Sequence, residues 1–301
     1  MTLRLGARGS ALSRAQAELV ARTLSGACAV EVLAIQTTGD RRSASGEPIA
    51  WKGDFTRELD EALLDGRIDL AVHSAKDVPS AIPAGLALAA VPLREDPRDV
   101  LISRERRRLE ELPAGALVGT ASPRRRAQIL ALRPDVRVLE ARGNVDTRIR
   151  RLGEGRWDAV VLARAGLARL NRLDEIVQIF SDEAVLPAVG QGALAVVTRE
   201  DDAATREIVR ILDDPASHSE LLAERGFLAR LEAGCRGPVA AHARVWERNL
   251  RLTGAVFALD GSRAIRDDAE GPASDAESIG RALAERLLER GAAELIASGS
   301  R

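Results

Sequence analysis

The sequence predicts an α/β protein with two lobes and a cleft between them, followed by a small C-terminal α+β domain. Three observations predict it. The 301 residues suit about two domains, with a third possible, at roughly 150 residues each. Over the first two-thirds, short apolar runs of strand type alternate with helical stretches, which implies largely parallel sheets covered by helices. A Pro- and charge-rich junction, PLREDPRD at 92–99, interrupts that alternation, and a different pattern begins near residue 215.

In chain order, Leu3–Leu5 reads as a strand. Ser10 caps a helix through Leu24, with Leu12, Ala15, Leu19 and Val20 on one face. Val30–Thr37 is β-branched and apolar, hence a strand. Residues 38–54, TGDRRSASGEPIAWKGD, form a polar loop longer than most connections, and a mobile lid is expected there. Phe55–Leu64 reads as a helix, Ile68–His73 as a buried strand and Leu86–Val91 as another. Beyond the junction, strands are expected at Val100–Ser103, Leu117–Gly119, Val136–Leu139 and Ala159–Leu162, with helices starting near Ser122, Asn144 and Arg164. The last part holds a helix over Glu220–Leu231, strands over Val239–Trp246 and Leu250–Leu259, and an amphipathic helix over about Ala276–Arg290.

Composition narrows the function. There are 44 basic and 45 acidic residues, a net charge of −1, which disfavours a generic nucleic-acid binder. Tyrosine is absent and aromatics total 2%, so stacking platforms for single strands are missing. No apolar run approaches the ~20 residues of a membrane span. The start, MTLRLGARGSALSRAQAEL, has no signal-peptide pattern. The two cysteines, Cys28 and Cys235, suit neither a disulfide framework nor a Cys-based zinc site. A cytoplasmic protein is expected. Only two basic residues are lysines, Lys52 and Lys76; coding bias explains the arginine excess but not which lysines remain.

Arginines gather where a strand ends or a helix starts, beside Gly, Ser or Thr. They occur in Arg8-Gly9-Ser10, in Thr120-Ala121-Ser122-Pro123-Arg124-Arg125, in Arg142-Gly143-Asn144 with Arg148, and at Arg169. Backbone N–H groups, hydroxyls and guanidinium forks at such turns bind carboxylate or phosphate. One cluster alone reads as solvated surface arginine; four at equivalent turns point to a polyanionic ligand. No nucleotide-phosphate motif accompanies them. Exposed pairs contribute only ~0–1 kcal/mol to stability, so these arginines are expected to act on a ligand and hardly on the fold.

A strand delivers His73-Ser74-Ala75-Lys76-Asp77 to its carboxyl end. Asp77 there can stabilise developing positive charge and Lys76 can hold a carboxylate; the plainer alternative is a local Lys–Asp pair. His73 reads as a satisfied strand histidine, and no metal site is visible among three scattered histidines. Cys235 stands between glycines beside Arg236, a setting that can expose and activate a thiol, although many loop thiols do nothing. Cys28 reads as a small buried apolar residue.

Together these segments resemble the porphobilinogen deaminase (hydroxymethylbilane synthase) family of tetrapyrrole and heme biosynthesis. The similarity runs through LRLGARGSALSRAQA, QTTGD at 36–40, KGDFTREL at 52–59, AVHSAKDVP at 71–79, GTASPRRRAQ at 119–128, RGNVDTR at 142–148, LPAVGQGALAV at 186–196 and AGC at 233–235. The resemblance implies two lobes similar to periplasmic binding proteins and a third domain. These would be residues 1–92 with 193–212, residues 98–186, and residues 215–301. It implies a transferase that joins four porphobilinogen units with loss of ammonia on a covalent dipyrromethane cofactor, then releases hydroxymethylbilane by hydrolysis. Cys235 would carry the cofactor through a thioether and Asp77 would be catalytic. Arg8, Ser10, Lys52, Phe55, Lys76, Thr120, Ser122, Arg124, Arg125, Arg142, Arg148 and Arg169 would bind cofactor and substrate. A monomer is implied, with no nucleic-acid or membrane partner. The chain departs from the family's usual KGLF with Lys52-Gly53-Asp54-Phe55, where Asp54 would either repel entering carboxylates or pair when the lid closes. It also departs at Arg236-Gly237, after the cysteine. A carboxylate-binding sensor module, a cysteine-nucleophile hydrolase and an arginine-rich nucleic-acid binder are the rival readings.

Overall fold

The computed structural model describes residues 2–45, 52–231 and 237–299. The chain opens with β1 (Thr2–Arg8), α1 (Ala11–Leu24), β2 (Ala29–Ile35), α2 (Thr38–Ser45), a 3-10 turn (Lys52–Phe55), α3 (Arg57–Leu64), β3 (Leu70–Ser74), a 3-10 turn (Ala75–Asp77) and β4 (Leu86–Ala90). There follow β5 (Asp99–Ser103), β6 (Leu117–Gly119), α4 (Pro123–Leu132), β7 (Arg137–Leu139), α5 (Val145–Gly153), β8 (Ala159–Ala163), α6 (Arg164–Arg169) and β9 (Gln178–Ile179). The remainder is β10 (Leu194–Arg199), α7 (Ala203–Val209), α8 (Pro215–Leu231), β11 (Val239–Trp246), β12 (Asn249–Phe257), β13 (Ala264–Pro272), α9 (Ala276–Glu289) and α10 (Ala292–Gly299).

The strands form two five-stranded sheets, ordered β2-β1-β3-β10-β4 and β7-β6-β8-β5-β9, and a three-stranded sheet β11-β12-β13. The expected largely parallel sheets are in fact mixed. In the first sheet β10 runs antiparallel to both its neighbours, and in the second β5 does. Each reversed strand is the one the chain enters just after crossing between sheets, from β4 to β5 and from β9 to β10. A chain that leaves one sheet at the carboxyl ends of its strands, and enters the next from the same side, must run against its new neighbours. The carboxyl edges of both sheets therefore face the two crossing segments, and that is where ligands sit in open α/β sheets.

The crossings, residues 91–98 and 180–193, are tied together. Arg94 Nε donates to Gln191 O at 2.9 Å, and Glu95 N donates to Gly192 O at 3.4 Å. Gly192 has φ +88°, and a Cβ on it would lie 2.2 Å from Glu95 O, so only glycine allows this approach. A buried ion pair helps join the crossings to the third domain. Arg94 Nη1 meets Glu224 Oε1 of α8 at 2.7 Å, while Glu224 also accepts from Gly190 N at 2.6 Å and Ala243 N at 2.9 Å. The third sheet is two antiparallel hairpins covered by α8 and α9, with Phe227, Leu250, Leu252, Leu283 and Leu287 in the core.

Several elements differ from expectation, among them β9, β10, α7 and α10, which the sequence reading does not include. Residues 38–45 are helical rather than loop, because Thr38 N and Oγ1 donate to Glu58 at 2.9 and 2.6 Å and Thr37 Oγ1 donates to Asp40; those anchors leave no apolar period. Residues 46–51 of the expected lid lie outside the described residues. Strand β13 carries IRDDAEG, and as an edge strand it buries only Ile265, which hides its character. Helix α8 starts at Pro215, a turn before the apolar pattern becomes legible. Cys28 is a free, half-buried thiol beside the first core.

Candidate functional site

The carboxyl end of β1 delivers Arg8, and Ser10 caps α1 by accepting from Ser13 N at 3.2 Å. Arg8 is not free: its Nη2 meets Asp40 Oδ1 at 2.6 Å and its Nε also donates to that carboxylate. Despite burial, the Arg8 and Thr37 contacts hold the Asp40 carboxyl below its usual range. The Phe55 ring stacks on the Arg8 guanidinium at 4.0 Å from its centroid, a cation–π contact. Lys52 opens the 3-10 turn that ends in Phe55.

The end of β3 turns through Ala75–Asp77 and presents Lys76 and Asp77. Gly190, at φ +70°, lies so close that a Cβ there would touch the Ala75–Lys76 peptide at 3.0 Å. Lys76 and Asp77 do not pair with each other, and neither has an ion pair or hydrogen bond among the described residues. Burial, outweighing Asp77 and aided by the Arg125 and Arg124 charges, pushes the Lys76 ammonium down to about 8. Arg8, Gln16, Phe55, His73, Ser74 and Asp77 line one pocket.

On the second sheet, Thr120 follows β6 and is buried, and its Oγ1 accepts from Ser122 N at 3.2 Å. Ser122 caps α4. Arg124 and Arg125 sit in that helix's first turn, but they are not the exposed turn residues expected. Their side chains are 4% and 7% exposed and clamp Asp99, which is fully buried. Arg124 Nη1 meets Asp99 Oδ2 at 2.7 Å, and Arg125 donates to Asp99 Oδ1 through Nε at 3.0 Å and Nη2 at 2.7 Å. Gln191 of the second crossing also donates to Asp99, at 2.9 Å. The correction has a simple cause: α4 packs its first turn inward, and the head of β5 supplies the counter-charge. Both members of each pair are buried, so the exposed placement on which the expected weak effect on folding rested does not hold for these two arginines.

The other arginines are placed differently. Arg142 pairs with Glu140 at 2.6 Å and is partly exposed. Arg148 Nε donates to Gly143 O at 2.7 Å, and Arg169 Nη2 donates to Gly192 O on the crossing at 2.6 Å. Neither has a carboxylate partner among the described residues. Burial, with Arg125 nearby, lowers Arg148 to about 10, against the pull of Asp77; burial lowers Arg169 to about 10, against Glu95. Lys76 and Asp77 of the first sheet thus share an electrostatic neighbourhood with Arg125 and Arg148 of the second.

Sequence reasoning missed Asp99, Gln191 and Asp40 as partners of the expected site. Gln191 and Asp40 lie inside quoted motifs; Asp99 carried no signal beyond being a charge at the head of an apolar strand. His73 is 4% exposed and its Nε2 has no hydrogen-bond partner among the described residues, so it is not the satisfied histidine expected. Burial and the Arg8 charge push it down to about 4, against Asp77. Cys235 lies outside the described residues.

Lys76, Arg148 and Arg169, half-buried and without carboxylate partners among the described residues, suit a ligand with several carboxylates. The residues present therefore fit a polycarboxylate cofactor.

Comparison with known proteins points the same way. Residues 3–207 match the family model for the dipyromethane cofactor binding domain of porphobilinogen deaminase, and residues 219–289 match that for its C-terminal domain. The porphobilinogen deaminase of Rubrobacter xylanophilus is 51% identical over 97% of this chain and 95% of its own length. That of Thermus thermophilus is 46% identical over 97% of each. Among solved structures, the periplasmic VFT2 domain of Bordetella pertussis BvgS aligns at TM-score 0.41 and 16% identity over 70% of this chain and 86% of that domain. By the two family models and the near-full-length identities, the chain belongs to the porphobilinogen deaminase family.

Proposed function

We propose that this chain converts four porphobilinogen molecules and one water into hydroxymethylbilane and four ammonia molecules. The observation that carries the reading is the set Lys76, Arg148 and Arg169, half-buried and without carboxylate partners among the described residues, with the Asp77 charge acting on the first two. Each pyrrole of the substrate bears an acetate and a propionate, so the product chain needs such counter-charges. Lys76, Arg148 and Arg169 take carboxylates directly, joined by Arg142, Ser10, Thr120 and Ser122 at the strand and helix ends, and by Lys52 from the 38–54 segment. Arg8 takes a carboxylate through its remaining N–H groups while Asp40 and Phe55 fix its plane. Arg124 and Arg125, paired with Asp99, add positive potential behind Lys76.

Loss of ammonia from porphobilinogen leaves a cationic methylene-pyrrolenine. The Asp77 carboxylate stabilises that charge in a partly desolvated site, where such a group is worth most. The dipyrromethane cofactor, when bound, supplies the pyrrole carbon on which condensation begins. Cys235 holds it through a thioether, and Cys28 does not. The domains divide as residues 1–92 with 193–212, residues 98–186, and residues 215–301. The protein works as a cytoplasmic monomer. No helix among the described residues is long and apolar enough to cross a membrane.

The test is intact mass and peptide mapping of purified protein, with product analysis after adding porphobilinogen. A dipyrrole adduct on Cys235 and hydroxymethylbilane formation are expected. An unmodified active protein, or an adduct on Cys28, would overturn the cofactor assignment. Cys235→Ser should carry no adduct, because an alkoxide is far harder to form at neutral pH than a thiolate.

A further inference from the structure

The pocket between β1, α1, β3 and the Phe55–Thr56 turn holds two buried polar groups that the reading above leaves unused, His73 and the Thr56 hydroxyl. His73 lies on a strand paired on both sides, by β1 and β10, and is 4% exposed. Its Nε2 is buried without a hydrogen bond among the described residues. An orphaned polar atom of this kind is costly unless a partner arrives. The ring lines the pocket together with Arg8, Gln16, Phe55, Ser74 and Asp77.

Two of those groups decide what the partner is. The Arg8 charge and burial keep the imidazole neutral, so one ring nitrogen is an acceptor. Asp77 presents a carboxylate that also lacks a hydrogen bond among the described residues. An entering carboxylate would meet Asp77 as a like charge. A primary ammonium, with three donors, satisfies a neutral imidazole and a carboxylate together.

We propose that His73 Nε2 accepts a hydrogen bond from the aminomethyl ammonium of porphobilinogen, making His73 a substrate-binding residue that selects for the amine. The inference rests on the reaction assigned above. A substrate lacking the ammonium would leave His73 unpaired, so the residue discriminates by what it fails to bind.

The test uses cofactor-loaded protein and two probes: porphobilinogen, and the same pyrrole with methyl in place of aminomethyl. His73→Phe should lower kcat/KM for porphobilinogen roughly tenfold or more, the scale of a lost hydrogen bond to a charged group. It should leave the inhibition constant of the methyl analogue within about twofold, on the scale of an unaltered contact. His73→Gln, which keeps an acceptor, should recover most of the loss. In wild-type protein labelled with 15N-histidine, the His73 Nε2 resonance should be that of an unprotonated nitrogen and should move when porphobilinogen is kept in excess. It should stay put with the methyl analogue. Equal weakening of both probes would make His73 a wall of the cavity and overturn the proposal. So would unchanged kinetics in His73→Phe, or an Nε2 that carries the proton or ignores porphobilinogen. If wild-type protein consumes no porphobilinogen, the assigned reaction falls instead. The wild-type resonance decides the matter even if a variant fails to fold.

Discussion

Replacing Asp99 by Asn should destabilise the protein strongly, although the carboxylate touches no ligand in the proposed mechanism. Asp99 is fully buried and receives four hydrogen bonds, from Arg124 Nη1, Arg125 Nε and Nη2, and Gln191 Nε2. Burial alone would raise its pKa, but the Arg124 and Arg125 charges prevail and hold it near 2, against an ordinary 3.8. That depression corresponds to about 2 kcal/mol of stability at neutral pH. Because the folded value is the lower one, the contribution is complete above the unfolded value of 3.8 and is lost as pH falls towards the folded value of about 2. Asparagine does worse than a protonated acid, since its NH2 group faces guanidinium donors and leaves two buried cations uncompensated. We therefore expect a loss of ~3–5 kcal/mol, or about 6–20 °C in Tm for a chain of this size. Urea unfolding read from Trp157, buried at 6% exposure in the core of the second sheet, reports the relevant region. The same titration repeated from about pH 5 down to pH 2 should show a shallower acid decline in the variant than in wild type. A loss below ~1 kcal/mol, the worth of an exposed pair, or identical acid declines, would refute the reasoning and return Arg124 and Arg125 to the role of ligand-binding residues.

Four further outcomes are expected. Asp77→Asn should cut turnover roughly 100-fold or more, the scale of losing one preorganised electrostatic group, while cofactor loading partly survives; near-normal turnover in a loaded, folded variant would remove the carboxylate from the mechanism. Lys76 should lose its proton as pH rises through about 8, so KM should climb above that pH, and Lys76→Arg should flatten the climb; a KM independent of pH in both proteins would contradict the assignment. Arg148→Leu and Arg169→Leu should leave Tm within a few degrees of wild type, since neither breaks an ion pair among the described residues, while stalled covalent chains with extra pyrroles accumulate in the mass spectrum. Unfolding of these variants would make them structural. Amide exchange over 41–54 should slow when substrate is bound, and Asp54→Leu should slow turnover at unchanged or higher KM, because Asp54 is 8% exposed and faces inward rather than towards entering carboxylates. Identical protection with and without substrate would remove the lid.

The sequence alone determined which residues stand at the ends of strands. Ser10 and Ser122 announce helix starts through capping chemistry that is local in the chain, and Asn144 takes the N-cap position of its helix without a side-chain cap bond. Apolar runs such as Leu117–Gly119 and Val239–Trp246 became strands with the bounds expected. Tertiary structure decided what those residues meet. Nothing local says that Asp99 lies under Arg124 and Arg125, 25 and 26 positions away, or that Asp40 reaches back across 32 positions to Arg8. Strand direction was equally out of reach, since β5 and β10 are reversed only because the chain crosses between sheets on one side. The two kinds of arginine look alike in sequence. Arg125 lies against a buried carboxylate and Arg148 against a backbone carbonyl, and only packing across the chain distinguishes them.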